Sequence, residues 1–212
     1  RFNTLEQVFE SEDEFGAFLD WVGAKLGEGM VTTLPFVLAG IVTGGIGAGA
    51  IGLLCGLILS KVKNCKNIMI VDPNDKRIKE SLKYLDADGV KPDSKNIIND
   101  NFDFVLDTVG LEKTRQQAIK SVKPGGVIIH IGLSQASGSF DFRKATLQEI
   151  TFIGTYCYTN KDFEKTLKIL NNNEIGNLNW IQYRDLKQGS SAFEDIHNGT
   201  CAAPKIILIV NN

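Results

Sequence analysis

Gly47-Ala48-Gly49-Ala50-Ile51-Gly52 is followed, 20 residues after its last glycine, by Asp72, which closes the apolar run Asn67-Ile68-Met69-Ile70-Val71. A G-x-G-x-x-G turn with an acid at that distance is the spacing of a βαβ unit that holds a dinucleotide. The first glycine allows a tight turn out of a strand, and the second lets backbone approach a pyrophosphate. The third lets helix and strand pack closely. The backbone at Ala50 and Ile51 then opens a helix whose unpaired N–H groups and partial positive charge favour phosphate. A carboxylate at the tip of the next strand can accept hydrogen bonds from both hydroxyls of an adenosine ribose. It would repel a 2′-phosphate, so Asp72 points to NAD over NADP. A second register, Gly45-x-Gly47 with Ala50 in third place, is also open from the residues alone.

Around this stretch the 212-residue chain is long enough for one good core, or for one domain with part of a second. Apolar content of 43% and charged content of 23% describe an ordinary globular protein. A net charge of −2 gives no reason to expect nucleic acid or an anionic membrane as partner. Cys55, Cys65, Cys157 and Cys201 are scattered with no C-x-x-C pair, so neither a structural zinc site nor a disulfide framework is indicated. Free thiols in a reducing cytoplasm are the plainer reading. His130 and His197 are the only histidines, which leaves little material for a metal site or a triad.

One segment argues for a membrane. Gly29 to Ser60 contains no charged residue, and apolar runs of this length are candidate spans. A buried parallel strand followed by a buried helix reads the same way, and the α/β pattern that follows favours that alternative. The first residues are acidic (Glu6, Glu10, Glu12, Asp13, Glu14), unlike a secretory leader.

Residues 1–35 are distinct in character. Leu5, Val8, Phe9, Phe15, Phe18, Leu19, Val22 and Leu26 recur at roughly helical spacing, and Ser11 with Glu14 resembles a capping box. One or two amphipathic helices are expected there. From residue 36 to 170, strands and helices alternate. The expected strands are Phe36–Thr43, Asn67–Val71, Asp86–Val90, Phe102–Asp107, Val127–Ile131 and a β-rich Ile150–Tyr158. The expected helices are Ala50–Val62, Asn74–Tyr84, Leu111–Val122 and Lys161–Leu170, with Lys123-Pro124-Gly125-Gly126 as a turn and a glycine- and serine-rich loop to Ser139. The alternation implies an α/β fold: a doubly wound, Rossmann-like parallel sheet with right-handed crossovers. Residues 171–212, with strands near Trp180–Tyr183 and Lys205–Val210 and a helix near Ser191–Asn198, look like a C-terminal return segment to another structural unit.

Val105-Leu106-Asp107-Thr108-Val109-Gly110, Lys123-Pro124-Gly125-Gly126 before Val127–Leu133, and Ala192-Phe193-Glu194 with Lys205-Ile206-Ile207-Leu208 resemble the medium-chain zinc alcohol and polyol dehydrogenases from about residue 42 onward. The resemblance implies that Gly47, Gly49 and Gly52 form the pyrophosphate turn, with Ala50 and Ile51 opposite the phosphates. It places Asp72 on the adenosine ribose and Arg77 along the adenine side. Thr108, Val109 and Gly110 would border the nicotinamide ribose, and Ile131, Gly132 and Leu133 would edge the nicotinamide. The blander readings are a helix cap for Asp72, a solvated charge for Arg77, a structural strand end for Asp107 and a packed, singly bonded imidazole for His130.

The departures weigh as much as the matches. The family's catalytic half contributes Cys, His and carboxylate ligands to zinc, whereas residues 1–46 here hold neither Cys nor His. Thr43-Gly44-Gly45 stands where the family has aliphatic residues. The expectation is therefore an NAD-binding portion of an alcohol or polyol dehydrogenase that binds no zinc itself. The competing expectation is a non-catalytic dinucleotide-binding or interaction module. Self-association through residues 1–35 or the C-terminal segment is the partner expected besides the dinucleotide, with no nucleic acid, no membrane and a cytoplasmic location.

Overall fold

A computed structural model describes residues 35–39 and 48–210. The expected amphipathic helices of residues 1–34, the strand end at 40–43 and Gly47 with its alternative Gly45 register lie outside the described residues. Eight strands and six α-helices are described: β1 (Pro35–Ala39), α1 (Ala48–Leu57), β2 (Asn67–Val71), α2 (Asp75–Ser81), β3 (Asp88–Val90), β4 (Phe102–Asp107), α3 (Glu112–Ser121), β5 (Val122–His130), α4 (Phe142–Leu147), β6 (Thr151–Gly154), α5 (Asn160–Asn171), β7 (Ile181–Asp185), α6 (Gly189–His197) and β8 (Lys205–Ile209). The first six strands form one sheet in the order β3-β2-β1-β4-β5-β6, and every neighbouring pair is parallel. The order reverses between β1 and β4, the point at which doubly wound sheets open a crevice for ligands.

Burial on both faces explains the composition of the strands. Phe104 and Leu106 of β4, with Val127 and Ile129 of β5, enter one core together with Leu53 and Leu57 of α1. Val105 and Ile128 enter the opposite core, with Ala118 and Ile119 of α3. Such strands need apolar residues at successive positions, not at alternate ones, and each buried apolar group contributes about 1.5–3 kcal/mol. The helices begin where their first residues supply caps. The Asn74 side chain accepts from Lys76 N–H at 2.9 Å, and Thr159 with Asp162 forms a reciprocal box at the start of α5.

Several elements differ from expectation. The apolar run that reads as a span divides into β1 and α1, and among the described residues no helix is long and apolar enough to cross a membrane. The final turn of the expected Ala50–Val62 helix is wider, Ile58–Val62, with Lys63 N–H donating to Ile58 C=O at 3.0 Å. Lys123-Pro124-Gly125-Gly126 is not a turn ahead of the strand. It lies inside β5, where the register passes from Phe102↔Val122 to Phe104↔Val127 and Gly125 takes φ +71°. A bulge of this kind uses the same residue types as a turn. The β-rich run at 150–158 forms a strand only over Thr151–Gly154, and α4 was not expected at all. It is short, buries no residue of its own and starts at Asp141, whose carboxylate accepts from Lys144 N–H at 2.8 Å.

The end of the chain forms a separate two-stranded parallel sheet, β7-β8, bridged by α6. Ile175 and Trp180, which precede it, are buried in the main core. The segment also leans on the six-stranded domain directly: Asn74 Nδ2 donates to Gly199 C=O at 2.9 Å.

Candidate functional site

The carboxyl ends of β2, β4 and β5 gather most of the residues singled out above. Asp72 follows β2 and is 4% exposed. Its Oδ1 accepts from Asn74 N–H at 2.7 Å, and its Oδ2 lies 3.3 Å from Arg77 Nε. The helix cap is Asn74, so Asp72 does not fill that simpler role. Arg77 is not a solvated charge either, since its side chain is only 11% exposed beside Asp72. Burial pushes the Asp72 carboxyl up to about 6, with Arg77 and the Asn74 N–H opposing that rise. A small enclosed pocket joins Asp72 and Arg77 to Gly49 and Gly52 of α1 and to Pro204 of the C-terminal segment. A Cβ on Gly49 would lie 3.5 Å from Arg77 Cδ and 3.9 Å from Pro204 Cβ, so Arg77 and Pro204 stand against the first turn of α1. Ala50 is buried and Ile51 exposed in that same turn, whose N–H groups have no partner within the helix.

The second cluster lies across the sheet. Thr108 and Val109 are buried after β4, and Ile131 and Gly132 follow β5, with Leu133 71% exposed beyond them. The two loops are in backbone contact: a Cβ on Gly110 would lie 1.9 Å from Gly132 O, and one on Gly132 would lie 2.0 Å from the Val109 carbonyl carbon. Ser134 N–H donates to Val109 C=O and Gln135 N–H to Gly110 C=O, at 3.1 and 3.0 Å. Arg115 Nη1 reaches Gly110 C=O at 2.9 Å, and its Nη2 reaches Ser137 C=O at 2.7 Å. The glycine- and serine-rich loop is thereby pinned onto the end of β4.

Asp107 and His130 join this cluster as a buried strand-end carboxylate and a packed imidazole that has Asp107 as its hydrogen-bond partner. Asp107 has no exposure, and His130 Nδ1 lies 3.1 Å from its Oδ2. The Asp107 end was readable as an Asx-type turn, because a carboxylate commonly accepts backbone N–H groups two and three residues on. The contact of Pro204 with the Gly49 region had no such signal, being set by packing between distant segments.

The zinc-binding dehydrogenase family matches residues 50–172, and the chain belongs to that family. Over 197 residues it is 30% identical to a probable diacetyl reductase [(R)-acetoin forming] of Saccharomyces cerevisiae, covering 79% of this chain and 44% of that protein. It is 26% identical over 162 residues to the D-xylulose reductase of the same yeast, covering 70% and 45%. The chain thus spans about half the length of the curated relatives it matches. Among solved structures, acetophenone reductase from Geotrichum candidum in complex with NAD superposes with a TM-score of 0.68 at 20% identity, covering 88% of this chain and 51% of that one.

Zinc finds no matching donor set among the described residues. Among the described residues, no group of three His, Cys, Asp or Glu side chains is placed to hold an ion, and the remaining residues contain neither Cys nor His. Burial pushes the Cys55 thiol up to about 12 and the Cys65 thiol up to about 11. Zinc needs the thiolate, which both sites disfavour.

Proposed function

We propose that this chain is the NAD(H)-binding portion of an oxidoreductase that moves hydride between a secondary alcohol and NAD. The observation that carries this reading is the buried Asp72 carboxylate at the tip of β2, which lines one small pocket with Gly49 and Gly52 of α1. In it, Gly47, Gly49 and Gly52 with the N–H groups of Ala50 and Ile51 take the pyrophosphate. Asp72 takes the adenosine ribose, and Arg77 flanks the adenine. Thr108, Val109 and Gly110 border the nicotinamide ribose, and Ile131, Gly132 and Leu133 edge the ring. When bound, NAD supplies the hydride acceptor. This chain's residues bind and orient it. The NAD complex of the Geotrichum enzyme and the reductase names of the yeast relatives support the reading.

In this reading residues 1–35 form a separate amphipathic segment, 36–170 the dinucleotide domain and 171–212 a segment that belongs with a catalytic unit. Exposed Tyr183, Leu186 and Phe193 on the last segment favour self-association there, and the free cysteines suit a reducing cytoplasm. Calorimetric titration of the chain with NADH and NADPH tests the assignment. NADH is expected to bind at least about tenfold more tightly, because the Asp72 carboxylate faces a 2′-hydroxyl in one ligand and a 2′-phosphate in the other. Equal affinities would remove Asp72 from the ribose.

The donor chemistry gives a second expected result. The purified 212-residue chain should retain no stoichiometric zinc after dialysis and should produce no NADH from alcohols when supplied with NAD. Elemental analysis finding one retained zinc per chain, with alcohol-dependent NADH formation that a chelator abolishes, would contradict this.

A further inference from the structure

One buried residue, Asp107, bonds to both of the loops assigned to the nicotinamide end. The Asp107 backbone carbonyl oxygen accepts from Ile131 N–H at 2.9 Å and from Gly132 N–H at 3.1 Å, which fixes the loop after β5. Its Oδ1 accepts from Val109 N–H at 3.0 Å and Gly110 N–H at 2.9 Å, which fixes the loop after β4. Its Oδ2 faces two side chains, Thr114 Oγ1 at 2.9 Å and His130 Nδ1 at 3.1 Å. The Thr114 hydroxyl has one proton and a second acceptor, Leu111 C=O, also at 2.9 Å. His130, in the tautomer that protonates Nδ1, is the second donor to Oδ2 beside the Thr114 hydroxyl. Its ring is steadied on the edge strand by Phe152, with centroids 5.5 Å apart.

We propose that His130 is a positioning residue for the nicotinamide half of the dinucleotide, acting through Asp107 on the loops at 108–110 and 131–133. The proposal rests on the NAD(H) reading of the site. Geometry makes the loops sensitive to this bond. Gly110 and Gly132 meet backbone to backbone, so a carboxylate that swings to find another donor displaces both loops together. A buried carboxylate left short of a donor does seek another, because its desolvation is otherwise uncompensated. The adenosine end is independent: Asp72 and Arg77 share none of these hydrogen bonds. Loss of His130 should then divide the ligand into an affected half and an unaffected one.

The test uses the full chain and two probes titrated calorimetrically: NADH, and ADP, which carries the adenosine and both phosphates but neither the nicotinamide nor its ribose. His130→Phe keeps an aromatic ring beside Phe152 and removes the donor. It is expected to weaken NADH about tenfold, the effect of one hydrogen bond to a charged group, and to leave ADP within about twofold. His130→Asn, whose amide nitrogen can reach the place of Nδ1, should recover most of the loss. His130→Leu carries the same comparison should the phenylalanine variant not fold. Parallel weakening of both probes would mean a merely structural residue, and unchanged NADH affinity would mean no role; either overturns the inference while the cofactor reading stands. A parent chain that binds neither probe overturns that reading and the inference with it.

Discussion

Gly132→Ala should unfold at a markedly lower urea concentration than the parent chain, with a loss of about 3–5 kcal/mol, at the upper end of single-residue effects. Its added Cβ would sit 2.0 Å from the Val109 carbonyl carbon and 2.3 Å from Gly110 N. These are backbone atoms, so no rotamer change relieves the clash. The two loops must separate, and the hydrogen bonds from Ile131 and Gly132 to Asp107 lengthen with them. Gly110→Ala should behave alike, with the further strain of a side chain at φ +75°. Gly154→Ala on β6 is the control. A Cβ there meets nothing within 4 Å, so its midpoint should stay within about 0.5 kcal/mol of the parent. A Gly132→Ala midpoint matching that of the control would show that the two loops do not touch as described.

Asp72→Asn should stabilise the unliganded chain at pH 7.5 while removing its preference for NADH. The folded carboxyl titrates near 6, above the ordinary value near 3.8, because burial disfavours the charge more than Arg77 restores it. Above pH 6 the folded and unfolded states are both ionised, and the folded state bears the full penalty of the buried charge. Between pH 6 and 4 the folded state takes up a proton that the unfolded state does not yet hold, so this group's contribution improves as pH falls. Asparagine resembles the protonated acid in shape, so the variant should gain up to about 3 kcal/mol at neutral pH, from roughly two pKa units at 1.36 kcal/mol each. Its stability between pH 5 and 7.5 should also be flatter than that of the parent. NADH affinity in the parent should fall as pH drops through 6, since a protonated carboxyl offers the ribose a weaker acceptor. Urea midpoints at pH 5 and 7.5 for both proteins measure the first effect; a destabilised variant with an unchanged pH slope would contradict it.

Much of the domain's fold was legible because its signals are local. Asn67–Val71 and Phe102–Asp107 form the expected strands to the residue, since an apolar run bounded by polar and turn residues has few other uses in an α/β protein. The parallel, doubly wound sheet followed from the βα alternation, and the observed strand order reverses where such sheets bind ligands. The elements that were misread fail for local reasons too. Lys123-Pro124-Gly125-Gly126 has the chemistry of a turn and of a bulge alike, and only pairing with β4 decides between them.

The site divides along the same line. The sequence by itself determined which residues stand at the carboxyl ends of strands: Asp72 after β2, Thr108–Gly110 after β4 and Ile131–Leu133 after β5. It did so because strand ends are marked by the residues that stop them. What only the tertiary structure decided is what those residues touch. Arg77 lies against Asp72 because α2, beginning just past β2, packs against β3, and Pro204 comes to Gly49 from 155 positions away in the sequence. His130 meets Asp107 because β4 and β5 pair in the register that sets those two residues side by side. Register and the packing of distant segments depend on every side chain in the interface at once, and no short stretch of sequence carries them.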